Sequence, residues 1–214
     1  MAAKTESYPA SLEIDYPKKL DRFTTFVRVI WAIPVLIVLM LLTATGSEGI
    51  VDEAGKEMTE NGGGIIGGLF AATALMILFR QRYPRWWFDF ALELERFSLR
   101  VGAYLLFLTD RYPSTVEKQS VHLDIAYPDV KRDLNRWLPL IKWLLALPHY
   151  FVLIVLVIGA LVATVLAWFA ILFTGRYPKG LFNFVVGVSR WNLRVSAYVL
   201  LLTTDKYPPF SLKA

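Results

Sequence analysis

Long apolar runs alternate along the chain with short polar stretches, and the runs predict most of its elements. Residues 29–47 (VIWAIPVLIVLMLLTATGS) carry no charge, nor do 61–79 or 143–175. A crossing helix needs about 20 apolar residues at a rise of 1.5 Å each. The first two runs therefore predict one crossing apiece, over about 24–45 and 62–80. The third is too long for one crossing, since a helix of that length would reach roughly 50 Å against a hydrocarbon core of about 30 Å. It predicts two crossings, over about 137–158 and 160–175, joined by a tight turn near Gly159 and Ala160, with Lys142 snorkelling to the interface. Pro34 and Pro148 fall inside spans, where proline is tolerated with a kink.

Two further helices, over 85–108 and 179–203, begin just after Pro84 and Pro178. In the first, Arg85, Asp89, Glu93, Arg96 and Arg100 share one narrow stripe at helical spacing, and the rest is mostly Trp, Phe, Leu and Val. In the second the stripe reads Lys179, Asn183, Gly187, Arg190 and Arg194. A wide apolar face with a charged stripe predicts a helix lying in the membrane interface. Crossing instead would place these charges in hydrocarbon, at about 2.5–3.5 kcal/mol each near the bilayer centre.

These elements recur. LEIDYP and LDIAYP are alternating, strand-like stretches ending in Tyr16-Pro17 and Tyr127-Pro128. Arg22, Arg28 and Pro34 return as Arg136, Lys142 and Pro148, an offset of 114. RYPRWWFDF at 82–90 matches RYPKGLFNF at 176–184, and RFSLRVGAYLLFLTDRYP at 96–113 matches RWNLRVSAYVLLLTTDKYP at 190–208, starting at an offset of 94. The offset shrinks because only the first copy holds an acidic loop over 46–61. The expected fold is an all-α integral membrane protein with four transmembrane helices. It is built as two tandem repeats, 1–113 and 114–214, each a short strand, two crossings and an interfacial amphipathic helix. Tyr8, Tyr16, Tyr83, Tyr112, Tyr127, Tyr177 and Tyr207 all precede proline and are expected to punctuate helix ends at headgroup depth.

Composition sharpens this. The chain is 56% hydrophobic and 19% charged, where soluble domains carry about 25% charged residues. That excludes an ordinary soluble enzyme and a disordered chain, and with no cysteine a disulfide-stapled fold is excluded too. The first residues show no apolar core followed by a cleavage site, so no removed signal peptide is expected. Lys18, Lys19 and Arg22 precede the first span, Arg80, Arg82 and Arg85 follow the second, and the loop between is acidic. The positive-inside rule then predicts cytoplasmic termini, a cytoplasmic segment over 110–136, and 46–62 outside.

Chemistry is sparse. His122 and His149 lie far apart, with no metal-ligand spacing, nucleophile elbow or phosphate loop nearby. No catalytic residue, metal or cofactor is expected. A third-ranked enzymatic reading, on lipid headgroups, would need Asp89, Glu93 or Glu95 to face a cavity. The basic residues Arg22, Arg28, Arg96 and Arg100, with their repeats Arg136, Lys142, Arg190 and Arg194, are candidates for anionic lipid or a protein partner. Arg190 and Arg194 lack acids on their own stripe, which makes them the first choice. Gly64, Gly68 and Ala72 form a small-residue row suited to close helix packing. Bases spread along membrane edges do not describe a nucleic-acid surface.

With LNRWLPLIKWLLALPHYFVLIVLV at 134–157, FTGRYPKGLFNF at 173–184 and RWNLRVSAYVLLLTTDKYPPFSL at 190–212, the chain resembles the bacterial membrane family known as domain of unknown function DUF4389, in two tandem copies. The resemblance implies a membrane protein and carries no catalytic residue or substrate. The expected function is a non-enzymatic accessory or scaffold subunit of a membrane assembly, in contact with anionic lipid and other membrane proteins. A lipid-handling or transport protein with an arginine-lined headgroup site is the alternative.

Overall fold

Alternation in ASLEI and VHLDI does produce strands. In a computed structural model describing residues 8–43, 47–51, 57–61, 64–115, 117 and 119–213, β1 (Ala10–Ile14) and β4 (Val121–Ile125) pair antiparallel. Leu12 faces Leu123 at the centre of the register, and these two are counterparts at the offset that relates Tyr16 to Tyr127. Each strand buries every second residue. A two-stranded ribbon is marginal alone, and this one is supported by helices beneath it.

Those helices are α3 (Arg85–Leu105) and α7 (Lys179–Val199), which start behind Pro84 and Pro178. Proline cannot donate a backbone hydrogen bond, so the position before a helix suits it. β4 packs on α3, while β1 packs on α7. Each strand thus lies on the helix of the other half. Tyr16 donates its hydroxyl to the Tyr177 carbonyl, and Tyr127 donates to that of Tyr83. Tyr16 meets Phe182 edge-on at 5.0 Å, and Tyr127 meets Phe88 at 5.1 Å. Arg190 donates to Leu12 O at 2.7 Å, and Arg96 to Leu123 O at 3.3 Å.

A third layer covers the other side of α3 and α7. α1 (Arg22–Thr43) runs antiparallel along α3, with Arg28 at Tyr104 and Val35 clustered with Phe97 and Val101. Between them in the chain, β2 (Ser47–Val51) and β3 (Glu57–Asn61) pair antiparallel. Next comes α2 (Gly64–Leu75), extended by a π-helical turn over Met76–Arg80. After β4 come two short helices, α4 (Val130–Asp133) and α5 (Lys142–Leu145), and then α6 (Leu147–Thr174). α6 runs antiparallel along α7, with His149 at Trp191 and Gly159 against the Phe184 ring. α1 and α6 also touch, where Trp168 Nε1 donates to Thr25 O at 3.4 Å and Leu20 N to Gly175 O at 3.0 Å.

Two expectations need correction. No turn occurs near Gly159: the predicted spans 137–158 and 160–175 are replaced, over 147–174, by one unbroken helix. Its run of Leu, Val, Ala and Ile offers no residue that would gain by leaving the i→i−4 ladder, and the small size of Gly159 serves the Phe184 ring instead. Secondly, the described part of the acidic segment 46–61 is a β-hairpin rather than an open loop; 44–46, 52–56 and 62–63 lie outside the described residues. At the two sequence offsets, Thr43 corresponds to Val157 and Gly64 to Ile158, which are adjacent in α6. In sequence, 44–63 are therefore the stretch without a counterpart in the second half.

Candidate functional site

Six of the eight candidate basic residues are bound within the chain. Arg28 is 1% exposed, donates to Tyr104 O and Thr109 O at 3.0 Å each, and pairs with Asp110. Its guanidinium lies 4.7 Å over the Tyr104 ring. Lys142, equally buried, donates to Thr204 O at 2.7 Å and to Asp205 at 2.8 Å, 4.9 Å over the Tyr198 ring. Arg100 donates to Ser114 O at 2.6 Å. Arg194 donates to Ser211 O at 3.1 Å and to Lys213 O, clamping the C-terminal tail. Burial lowers the pKa of both arginines, and neighbouring Arg96 and Arg190 add to it. Arg96 pairs with Glu93 besides its bond to Leu123.

The eight bases therefore do not converge on one headgroup pocket. Arg96 and Arg100 open on a cleft of about 600 Å³ that also holds Glu93 and Glu117, a mixed field for an anion. Arg22 and Arg136 are exposed near the starts of their repeats. Arg190 and Arg194, expected to need a lipid phosphate, the acids of the first copy or another protein, donate instead to backbone carbonyls of the chain. Sequence spacing along one helix could not foresee acceptors supplied by a distant strand and tail. Gly68 is open, with nothing within 4 Å of an added Cβ, and Ala72 is half-buried, so the small-residue row is not a close helix contact within the chain at Gly68. Gly64 opens α2.

His149 is fully buried: Trp191 Nε1 donates to its Nδ1 at 3.0 Å, and Phe210 stacks on the ring at 4.1 Å. This is the interhelical hydrogen bond its position in an apolar run implies. His122 sits on the exposed face of β4, 3.2 Å from Asp15.

A different place collects polar groups. α3 and α7 flank a cavity of about 460 Å³, with Ile14 of the ribbon at one wall and Tyr150 of α6 at another. From α3 come Glu95, Ser98 and Gly102, and from α7 their counterparts Ser189, Asn192 and Ser196. A small void of about 60 Å³ toward α2 shares Glu95, Ser98 and Ser196 with it. Of the three acids considered, Asp89 pairs with Arg85 and Glu93 with Arg96 on the exposed side, and Glu95 alone lines this cavity. Burial raises the Glu95 pKa above the usual carboxylate value, and a hydrogen bond from Ser196 opposes the shift. The hydroxyl protons of Ser98 and Ser189 go to Leu94 O at 2.9 Å and Val185 O at 3.0 Å.

The serines, Asn192 and Gly102 are absent from the sequence reading. Their signal is a second stripe, small and polar, about two fifths of a turn from the charged one. It was legible in both helices, but only assembly sets the two stripes face to face.

The segment that builds α5, α6, α7 and the clamped tail is also the part with a recognisable relative. Residues 137–211 match the family model described as domain of unknown function (DUF4389). The match occurs once, where the repeat leads one to expect two copies. In sequence, the first half differs from the matched segment by the additional stretch 44–63 and by Asp89 and Glu93 where the second has Asn183 and Gly187. No curated protein and no solved structure matches the chain.

Proposed function

We propose that the protein is a non-enzymatic membrane protein of the bacterial inner membrane, an accessory or scaffold subunit whose apolar layer is embedded in lipid and whose ribbon side docks other membrane proteins. The observation that carries this is the outward face of the two long helices. α1 exposes Phe23, Phe26, Ile30, Ile37 and Met40, and α6 exposes Phe151, Ile158, Val165 and Phe173. Both helices are long and apolar enough to cross a membrane. Contiguous apolar surface on this scale marks a membrane or protein contact.

The side-by-side packing favours embedding over crossing. α3 exposes Arg85, Asp89 and Glu93 at 71%, 55% and 57% over its N-terminal part, 85–93, and such a stripe belongs in water or headgroups. α1 lies along α3, and α6 along α7, so the two helices of each pair share an inclination. α6 would also span about 42 Å, longer than the hydrocarbon core. In this reading α1, α2 and α6 lie in the cytoplasmic leaflet, both termini stay cytoplasmic, and Arg22 and Arg136 meet anionic headgroups. The four-crossing arrangement of the sequence reading gives way to it. The two halves are a tandem duplication about a pseudo-two-fold through Leu12 and Leu123. This is supported by the exchanged strands and by the reciprocal Tyr16–Tyr177 and Tyr127–Tyr83 bonds.

The chain has no cysteine, which makes single-cysteine mapping direct. Ser47→Cys in the hairpin and Asp124→Cys in the ribbon are expected to react with an impermeant maleimide from the cytoplasmic side only. Labelling of Ser47→Cys from the outside in intact cells would instead establish that α1 crosses. Native mass spectrometry of gently extracted protein is expected to show stoichiometric protein subunits; a bare monomer would remove the scaffold role. A second reading, lipid handling, is favoured by the cavity between α3 and α7.

A further inference from the structure

Three of the five polar side chains that accompany Glu95 in the cavity, Ser98, Ser189 and Ser196 but not Tyr150 or Asn192, have already committed their protons. Ser98 and Ser189 donate to carbonyls in their own helices, and Ser196 is hydrogen-bonded to Glu95. Toward the cavity they present lone pairs. Asn192 offers both a donor and an acceptor. Among the described residues no lysine, arginine or histidine lines the space, so a phosphate or other anionic head would find no counter-charge from them there. The remaining walls, among them Leu99, Leu106, Val195 and Val199, are apolar, and Tyr150 brings the lipid-facing layer to one side. At about 460 Å³ the cavity is of ligand size.

We infer that this cavity binds the uncharged, hydroxyl-rich head of an amphiphile, with Glu95 and Asn192 holding the hydroxyls and the apolar tail leaving along α6. Hydroxyl groups donate to the serine oxygens and to Glu95, and accept from Asn192. A carboxyl whose pKa is raised by burial both accepts and donates near its titration, and a polyol matches both states whereas an ammonium matches only the ionised one. The inference rests on the lipid-handling reading and names the head it would select.

The test uses the full chain in a polyoxyethylene detergent, which carries no sugar, and titration calorimetry with heptyl glucoside, heptylammonium, heptyl phosphate and free glucose. Heptyl glucoside is expected to bind about tenfold tighter than the other three, a difference of about 1.4 kcal/mol. Asn192→Leu, at an exposed position, and Glu95→Gln are each expected to weaken it several-fold. Gly102→Leu is the blocking variant. A Cβ there meets nothing within 4 Å, and leucine is a better helix former than glycine, so the variant is expected to fold and to lose binding. Thermal unfolding checks the fold. Tightest binding of the ammonium or the phosphate would overturn the head class. So would equal binding of all three amphiphiles abolished by Gly102→Leu, though this leaves lipid handling standing. Glucose binding as tightly as heptyl glucoside would make the ligand a free sugar and overturn the amphiphile. Binding of none, or binding indifferent to Gly102→Leu, would remove both the inference and the lipid-handling reading.

Discussion

Glu95 and Ser189 occupy corresponding places in the two halves, and only one of them titrates. Burial holds the Glu95 carboxyl above its ordinary 4.5, so the ionised folded form is the disfavoured one. Lowering the pH through the raised value toward 4.5 protonates the folded state first and stabilises it relative to the unfolded chain. Glu95→Gln is therefore expected to raise the unfolding temperature at pH 7, with the gap to wild type closing as the pH falls. A gap that widened on acidification would show the carboxylate to be favoured in the fold. The buried cations behave differently, because each has a fixed partner. Removing Asp205 leaves Lys142, 1% exposed, without its counter-charge, and breaking such a buried pair costs about 3–5 kcal/mol. Asp205→Ala should lower the stability read by denaturant titration by this order. Exposed Arg85, paired with Asp89 at 3.8 Å, should change it by under about 1 kcal/mol when replaced by alanine.

At the scale of elements, α2 and α6 end in the same way with different residues. The π turn after α2 is closed by Gln81 at φ 47°, and α6 by Gly175 at φ 68°. Only glycine takes that conformation without a Cβ penalty, of about 1–2 kcal/mol. Gln81→Gly is thus expected to stabilise the protein modestly and Gly175→Gln to destabilise it, measured side by side in thermal unfolding. The opposite pair of signs would mean that Gln81 gains more from its side chain than it loses in backbone strain. Gly187 is set by space instead: a Cβ there would come within 2.9 Å of Leu212. Gly187→Ala should therefore push the tail off α7 and loosen the Arg194 clamp, seen as faster amide exchange around Ser211.

For the whole molecule, the joint between halves is the exchange of strands. Tyr16 and Tyr127 each reach across it, and each hydroxyl bond is worth about 1 kcal/mol. Tyr16→Phe and Tyr127→Phe should cost similar amounts and leave one cooperative unfolding transition. Two separated transitions would mean that the halves fold independently. Much of this architecture was open to inspection in the residues: the two strands from alternation, α3 and α7 from proline starts and helical periodicity, and the paired segments from offsets of 114 and 94. These are local patterns, and local backbone preference and burial period act within a few residues. The fate of the 143–175 run was not local. Apolar length alone suits one long helix or two short crossings, and in the fold the run stays straight along α7, with Gly159 against the Phe184 ring. Nor could spacing tell that Arg190 would find Leu12 O, 178 residues away, or that two modest polar stripes would enclose one cavity. Carbonyl acceptors and cavity walls come from distant elements, and only packing brings them together. The chain's own order determined which segments are apolar, amphipathic or duplicated; the tertiary structure alone decided which charges are already satisfied and which polar groups are left facing an open space.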